Sequence, residues 1–312
     1  MTPGLTGRVV CVGIAVLDQV WELPALPPGP GKFIAHGFRE TGGGMAATAA
    51  VAIAALGGMA LWHGRLGADG PGATLLGLLA RCGVEVVDVV PAPGGRSAVS
   101  GVLVDAEGER VLAVFPGDGL PGASALAKGR LDGAGAVLAD PRWPAGAERL
   151  FRLAGPRGLP RVLDADVAAA GTIADLAPLT DHLVFSQRGL VEFTGIEEPA
   201  AGLAAAAGRL GGMPALGPAG GLGVTLGARG SLWWREGGAV PLAAPRIAAR
   251  DTTGCGDVFH GAYALALAEG RDAPGAARFA TAVAALKAER GRGWLGMPDR
   301  AAVEVRLAEG WA

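Results

Sequence analysis

The sequence of 312 residues contains little cysteine, few aromatic residues and almost no net charge. Its three cysteines, Cys11, Cys82 and Cys255, lie far apart and form no C-x-x-C pair. This argues against a disulfide framework and favours a reducing compartment. Lysine and arginine number 27 against 29 aspartates and glutamates, a formal net charge of -2. We therefore expect a cytoplasmic protein that binds neither nucleic acids nor charged membrane surfaces.

Long apolar runs without interruption are also scarce. The segment that comes nearest is 45–62, which carries no charge over nearly the thickness of a bilayer. It is mostly Ala and Gly, however, and the Gly57-Gly58 pair interrupts it. The first residues lack the basic region and the apolar core that are typical of a secretory signal. These observations predict a closely packed core helix and no membrane association.

Glycine and apolar residues are abundant instead. Gly accounts for 54 residues, 50% of the chain is hydrophobic and the mean hydropathy is +0.37, so a sizeable core is available. In the second half of the chain, segments typical of strands and helices alternate, and the strand-like ones include "AVLAD", "RVLDAD" and "HLVFS". This alternation predicts an α/β fold with a mostly parallel central sheet that is covered by helices on both faces.

Some extended segments fit such a sheet less well. Those at about 14–40 and 96–116 predict a smaller lid, inserted into a single domain of residues 1–312. Within the second segment, "SAVSGVLVD" and "ERVLAVFP" predict a β-hairpin. Two further runs, "RVVCVGIAVLD" and "GVTLGARGSLWW", are each typical of one strand, and we expect the first to end at Asp18.

The most specific motif is "DTTGCGDVFHGAYALALAEG", residues 251–270. Its apolar run predicts a helix that ends at Gly270, directly after two closely spaced glycines. A helix start exposes unpaired N–H groups and the positive end of the backbone dipole, and glycines let an anion come close. The motif therefore predicts an anion hole that suits a phosphate group. It would be formed by the backbone N–H groups of Gly254, Cys255, Gly256 and Asp257.

Asp257 stands at this junction, where a bound phosphate would repel its carboxylate unless the carboxylate has a chemical role. As a general base it would accept the proton of an alcohol whose oxygen attacks the phosphate. We expect the helix dipole to favour the ionised form that a base needs. The alternative is that Asp257 only caps the helix, as aspartate often does. The motif by itself leaves both interpretations open.

A second glycine-rich segment competes for a nucleotide. Gly42, Gly44 and Ala47 match G-x-G-x-x-A, and Asp69 lies at about the distance expected of a ribose-binding acid, which would indicate an NAD-dependent oxidoreductase. The preceding "IAHGFRE" is too polar for the central strand that this motif requires. A P-loop is excluded, because the sequence contains no G-x-x-x-x-G-K-[ST].

The segment "DTTGCGDVFHGA" resembles the D-T-x-G-A-G-D signature of the PfkB (ribokinase-like) family of sugar kinases. Further segments are similar to motifs of this family in the right order: "VGIAVLD", "GGGMAATAAVAIAALG", "GRLGADGPG" and "GVTLGARGSLWW". The resemblance covers nearly the whole chain. It implies a three-layer α/β sandwich of the ribokinase type with a small β-sheet lid, and such lids often pair into homodimers.

The resemblance also implies an activity, namely transfer of a phosphoryl group from ATP to a sugar hydroxyl. Asp257 would be the general base, and Mg²⁺ would accompany the ATP phosphates. The implied substrate-binding residues are Asp18, Gly43 and Gly44, and the implied nucleotide-binding residues are Thr225, Gly227 and Gly230. Asp251 and Thr253 match positions that hold a monovalent cation in some members, so K⁺ is a further expectation.

Within the family, the segments "GKFIA" and "VLADPRW" are similar to the sulfofructose kinase branch. Lys32 and Arg142 fall where that branch gathers cations around an anionic sugar. Val114 stands where the branch has Asn, however, and Gly44 and Ala47 replace the Lys and Asn of the ribokinase glycine motif. A sulfosugar and a neutral sugar, as in ribokinases and fructokinases, therefore both stay open.

Three further alternatives remain at this stage. The fold could belong to a sugar-binding regulator that has lost catalysis. Cys255 occupies a position where a small residue is usual, and a thiol at a helix start can become acidic and reactive. His260 lies one turn into the predicted helix, where its ring could touch a phosphate.

Overall fold

The computed structural model describes residues 7–106, 108–211, 216, 219–235 and 237–311, so the first six residues of the predicted domain lie outside it. The strands in the described part are β1 (Arg8–Val12), β2 (Val16–Glu22), β3 (Gly37–Gly43), β4 (Met59–His63), β5 (Glu85–Val86), β6 (Ala98–Val104), β7 (Arg110–Phe115), β8 (Ala136–Ala139), β9 (Arg161–Ala165), β10 (His182–Ser186), β11 (Gly221–Thr225), β12 (Ser231–Arg235) and β13 (Gly238–Leu242). The helices are α1 (Met45–Ala55), α2 (Gly70–Arg81), α3 (Pro144–Ala154), α4 (Thr172–Leu176), α5 (Gln187–Thr194), α6 (Pro199–Arg209), α7 (Cys255–Ala268), α8 (Ala273–Arg290) and α9 (Arg300–Glu309).

Nine strands form a central sheet in the order β13-β12-β11-β10-β9-β8-β1-β4-β5. The strands from β11 to β5 in this order are parallel, whereas β12 and β13 are antiparallel additions at one edge. Alternate residues of β1 enter two different cores: Val9 packs with α1, α7 and α8, and Val10 packs with α3 and α6. Helices therefore cover both faces, and the predicted α/β sandwich is confirmed.

The Ala-rich segment that begins at Met45 forms α1 inside this fold. Its side chains are buried from Met45 to Ile53, and it packs against α7. A Cβ atom at Gly261 of α7 would lie 2.5 Å from the carbonyl oxygen of Ala49, so the two backbones approach closely. Among the described helices, none is long and apolar enough to cross a bilayer.

Four strands form a second, smaller sheet in the order β3-β2-β6-β7. The predicted hairpin is confirmed, because β6 and β7 pair in antiparallel fashion. The predicted single strand from Arg8 to Asp18 is wrong, since β1 belongs to the central sheet and β2 to the small one. The chain turns at Gly13, where a Cβ atom would lie 2.0 Å from Oδ2 of Asp140. Asp18 consequently lies inside β2 rather than at the end of a strand.

The predicted single strand "GVTLGARGSLWW" is also wrong. It forms β11 and β12, which pair in antiparallel fashion. The turn between them needs glycine at Gly230, which has a φ of +85° and where a Cβ atom would lie 2.0 Å from the carbonyl oxygen of Leu242. The tight turn places Thr225, at the end of β11, beside the edge of the sheet where the parallel strands end.

Candidate active site

A cavity of about 1300 Å³ lies between the small sheet and the carboxyl ends of the central strands. Alternate residues of the small sheet line it, as expected when one face of a sheet covers a cavity. The carboxyl ends of parallel strands are where α/β proteins gather ligand-binding residues. The predicted site residues in the cavity wall are Asp18, Gly43, Gly44, Arg142, Asp251, Thr253, Gly254 and Asp257.

The remaining predicted residues lie elsewhere. Cys255 and Gly256 begin α7 directly beside the cavity. Lys32 is exposed in the loop between β2 and β3 and does not line the cavity. Thr225 ends β11, and the one-turn helix that follows, Gly227–Arg229, leads to the turn at Gly230. These last residues form a separate group along the sheet edge.

Helix α7 begins as the sequence predicts. Gly254 is its N-cap residue, with φ +70° and ψ 5°, a left-handed conformation that glycine adopts without strain. The N–H group of Cys255 donates to the carbonyl oxygen of Thr252 at 3.2 Å. Within the described chain, no acceptor is bonded to the N–H groups of Gly254, Gly256 and Asp257. Three of the four predicted donors are therefore available to an anion.

Asp257 lies in the first turn of α7 and does not cap the helix, because no side-chain hydrogen bond caps this end. The capping alternative is therefore wrong. Burial and the neighbouring carboxylate of Asp164 raise the pKa of Asp257 well above its usual value. This is opposite to the shift expected from the helix dipole alone, because burial is the largest cause and Asp140 and Asp166 add further negative charge. A carboxylate with a raised pKa is a stronger proton acceptor once it is ionised.

Asp18 faces the cavity from the small sheet. The hydroxyl of Ser100, on the neighbouring strand β6, donates to Oδ1 of Asp18. A Cβ atom at Gly43 would lie 2.2 Å from Oδ2 of Asp18, so the glycine leaves room for this carboxylate. Burial raises the pKa of Asp18, and the bond from Ser100 opposes the shift. Ser100 was not predicted, although a hydroxyl inside the apolar run "AVSGVLV" was a usable signal.

Asp140 is a further residue that the sequence analysis missed. It is fully buried at the end of β8, and its carboxylate accepts from the N–H groups of Ile14 at 2.8 Å, Ala46 at 3.0 Å and Arg142 at 2.8 Å. Burial raises its pKa to about 6, against the effect of these three bonds. Asp140 therefore joins the end of β1, the start of α1 and the segment that carries Arg142.

Two arginines line the cavity at this end. Arg142 forms an ion pair with Asp166, with Nη2 3.5 Å from Oδ2. Arg65, which was not predicted, lies over the ring of Trp143 at 5.2 Å and donates to the carbonyl oxygen of Arg142 at 3.3 Å. Val114 of β7 lines the same cavity and is 57% exposed. The cavity thus offers both guanidinium groups and apolar surface to a ligand.

Asp251 and Thr253 form a tight turn ahead of α7. The N–H group of Thr253 donates to Oδ1 of Asp251 at 2.8 Å. Burial acts to raise the pKa of Asp251, but the bonds from Thr253 and the charges of Lys287 and Arg110 hold it below its usual value. Burial raises the pKa of the Cys255 thiol to about 11, so this cysteine is not acidic despite its position at a helix start.

Two further alternatives from the sequence, a phosphate contact by His260 and an NAD site, are wrong. His260 does not line the cavity, and both of its ring nitrogens contact carbonyl oxygens inside the protein. Gly42 lies in β3 of the small sheet rather than in the first turn after a central strand, so the NAD motif lacks its context. Asp69 caps α2, and its carboxylate accepts from the N–H groups of Gly72 and Ser97. These bonds give Asp69 a structural role in place of the predicted role of a ribose-binding acid.

The site fits an α/β phosphotransferase, because unpaired amides at a helix start suit a phosphate and a carboxylate in the same turn can accept a proton. The model of the pfkB family carbohydrate kinases matches residues 6–300, and the chain belongs to this family. It is a carbohydrate kinase, an enzyme that transfers a phosphoryl group to a sugar hydroxyl.

Individual relatives agree with this assignment. The ribokinase of Bacillus subtilis is 28% identical over 309 residues, which span 96% of this chain and 100% of that protein. Fructokinase-2 of Solanum lycopersicum is 34% identical over 107 residues, 34% of this chain and 31% of that protein.

Solved structures share the fold along nearly the whole chain. A crystal structure from Agrobacterium tumefaciens, described as a candidate ribokinase, has a TM-score of 0.91 and 33% identity, and covers 97% of this chain and 98% of that chain. The Arabidopsis thaliana ribokinase complexed with ribose and ATP has a TM-score of 0.79 and 25% identity, with 96% of this chain and 98% of that chain covered.

Proposed function

We propose that this kinase transfers the γ-phosphoryl group of ATP to a hydroxyl of a small sugar or sugar derivative, with Asp257 as the general base. The observation that carries the proposal is that Asp257 and Gly254, two of the residues whose N–H groups are unpaired within the described chain, line the same cavity as Asp18. A sugar held at Asp18 and a phosphate held at the start of α7 would meet next to Asp257. The ATP of the Arabidopsis ribokinase complex supports the choice of donor.

Asp257 would accept the proton of the sugar hydroxyl as its oxygen attacks the γ-phosphorus, and the bond to the leaving ADP oxygen would break. The backbone N–H groups of Gly254, Gly256 and Asp257 would stabilise the negative charge that develops on the phosphoryl oxygens. A fixed donor of this type contributes on the order of 3 kcal/mol in measured cases. An intact base and anion hole also argue against a regulator without catalysis.

The sugar would lie against the small sheet. Asp18 would accept hydrogen bonds from sugar hydroxyls, and the backbones of Gly43 and Gly44 would approach the sugar closely. At Gly44, φ is +90° and a Cβ atom would lie 2.6 Å from the carbonyl oxygen of Ile14, so no side chain fits there. The small sheet would act as the predicted lid of a single domain.

The nucleotide would lie along the sheet edge formed by Thr225, Gly227 and Gly230. Mg²⁺ supplies a charge that neutralises the ATP phosphates and orients them. In the part of the chain that is described, no group of three or more His, Cys, Asp or Glu residues is placed to hold a metal ion. We expect the Mg²⁺ ion to arrive with ATP and to be held mainly by phosphate oxygens and water.

The substrate class has two candidates. Arg142 and Arg65 would bind an anionic sugar, such as sulfofructose, because a guanidinium offers two parallel donors to an anionic group. Lys32 would join them only if its loop moved toward the cavity. The ribokinase and fructokinase relatives and the apolar Val114 favour a neutral sugar instead.

We also propose a homodimer that forms through the lid, in the cytoplasm. Phe38 and Val111 lie on the face of the small sheet that points away from the cavity, and they are 57% and 55% exposed. Apolar patches of this kind mark surfaces that pair with a protein partner. The three cysteines are free thiols, as expected in a reducing compartment.

The experiment that tests this function is ADP release from Mg·ATP over a panel of acceptors. The panel contains sulfofructose, fructose 6-phosphate, free ketohexoses, ribose and common nucleosides, and it is repeated with Arg142→Ala. Arg152→Ala is the control, because Arg152 is an exposed arginine that pairs with Glu148 on the surface of α3. Preference for an anionic sugar that only Arg142→Ala abolishes would assign that substrate class. No ADP release with any acceptor would refute the proposed function.

A further inference from the structure

Lys287 is a buried lysine whose charge no part of the proposed reaction uses. It lies near the end of α8 within the run "TAVAALKAER" and is only 1% exposed. A fully buried ammonium group is costly unless other groups compensate its charge. The surroundings of Lys287 should therefore reveal what it does.

The ammonium group points at the turn ahead of α7. Its Nζ atom lies 3.5 Å from the carbonyl oxygen of Thr253 and 3.9 Å from Oδ2 of Asp251. Arg110 of the small sheet adds a second cation, with Nη1 3.8 Å from Oδ1 of Asp251. These are the two residues, Asp251 and Thr253, for which the sequence resemblance implied a monovalent cation.

The oxygen atoms of this turn already have partners. Oδ1 of Asp251 accepts from the N–H group of Thr253. The carbonyl oxygens of Thr252 and Gly254 accept from N–H groups of the first turn of α7, at 3.2 Å and 2.9 Å. A K⁺ ion needs several oxygen ligands, as the carbonyl rings of potassium channels provide. Here it would also face an ammonium group at short range, so the residues present do not fit a bound K⁺ ion.

We infer that Lys287 supplies the cation of the 251–254 turn, so that phosphoryl transfer requires no monovalent metal ion. The ammonium group neutralises Asp251 and holds the Thr253 carbonyl, and Gly254 follows directly as the first residue of the anion hole. Lys287 is thus a positioning residue, which acts on the transferred phosphate through the backbone of this turn. The inference rests on the proposed kinase function.

The first test measures ADP release by the wild-type protein with ATP as its Tris salt. Potassium, sodium and choline chloride are compared at equal ionic strength. We expect rates that agree within about twofold, and a tenfold or larger stimulation by K⁺ would overturn the inference. Absence of ADP release in every salt would instead refute the kinase function, so the two failures are distinguishable.

The second test uses Lys287→Met, which keeps most of the length of the unbranched side chain and removes its charge. We expect kcat in choline chloride to fall at least tenfold and K⁺ to restore a large part of it. Lys128→Met is the matched control, because Lys128 is exposed and does not line the cavity. This variant should behave as the wild type in every salt. Equal loss in all salts, without rescue, would overturn the inference.

A third measurement does not depend on activity. K⁺ should raise the thermal unfolding midpoint of Lys287→Met in the absence of nucleotide and leave that of the wild type unchanged relative to choline. If Lys287→Met does not fold, Lys287→Gln takes its place, and the wild-type salt comparison decides independently. A midpoint that K⁺ raises equally in the wild type would count against the inference.

Discussion

Nδ1 of His260 lies 3.2 Å from Oδ2 of Asp164, and both side chains are buried beneath the start of α7. Nδ1 is also 2.7 Å from the carbonyl oxygen of Gly256, and Nε2 is 3.1 Å from that of Val184. The two carbonyl oxygens are acceptors and favour hydrogen on both ring nitrogens, whereas Oδ2 of Asp164 has no hydrogen-bond partner among the described residues. Burial lowers the pKa of His260, but the two carbonyl groups favour the protonated ring.

This relationship predicts the effect of His260→Gln on pH dependence. Burial, Asp164, Asp140 and Asp166 raise the pKa of Asp257, and the positive charge of His260 opposes them when its ring is protonated. Loss of His260 therefore raises the pKa of Asp257 further. A general base is active when ionised and loses activity as the pH falls through its pKa, so the acid limb of kcat should move upward. We therefore expect kcat of His260→Gln to fall relative to the wild type on the acid side of the profile and to agree with it on the alkaline plateau.

The control for this prediction is His182→Gln. His182 is also buried, with Nδ1 2.9 Å from the hydroxyl of Tyr263, and it does not act on Asp257. The variant His182→Gln should lower the thermal unfolding midpoint without moving the acid limb of kcat. If both variants give the same pH profile as the wild type, His260 does not influence the base.

Asp257→Asn tests the base directly. The amide should leave the helix start and both binding regions intact, because Asp257 makes no capping bond, but it cannot accept the proton. We expect kcat to fall by a factor of ~100 or more, with ATP and sugar still bound. Steady-state kinetics together with calorimetric titration would measure this.

Asp272→Asn is a matched control at another helix start. Asp272 caps α8 and accepts from the N–H group of Gly275 at 2.8 Å, and Asn caps a helix about as well as Asp, so this variant should change neither stability nor turnover appreciably. Near-normal turnover in Asp257→Asn would mean that another group takes the proton.

The parts of the site that sequence reasoning predicted are local in the chain. Gly254 and Asp257 belong to one short motif, and the rules for helix starts apply to neighbouring residues. Ser100 and Asp140 escaped prediction because the fold brings them to partners 82 and 126 residues away, Asp18 and Ile14. Strand register decides such contacts, and an apolar run does not reveal its register.

The sequence did not predict that the run from Arg8 to Asp18 divides into β1 and β2, and the reason is similar. The residues on both sides of Gly13 are equally apolar, and periodicity cannot tell which of two sheets a buried strand joins. Lys287 did carry a signal, since a single lysine stands inside a long apolar helix run, but its partners at Asp251 and Thr253 lie more than thirty residues earlier in the chain. The alternation of strand-like and helix-like segments extends over many elements, and for that reason it predicted the central sheet correctly.

Ser100→Ala tests whether Asp18 binds the sugar. Ser100 is 2% exposed and its hydroxyl donates to Asp18, whose pKa burial raises and this bond lowers. In the variant, the pKa of Asp18 should rise and its carboxylate should no longer be held in one orientation. The KM for the sugar should therefore rise about tenfold, as expected for the loss of one hydrogen bond to a charged group. The KM for ATP and kcat should change little. Ser97→Ala is the control, because Ser97 is equally buried and donates to Asp69 at 2.7 Å outside the cavity. A rise in the sugar KM of the same size in Ser97→Ala would show that general loosening of β6, and not Asp18, sets sugar affinity.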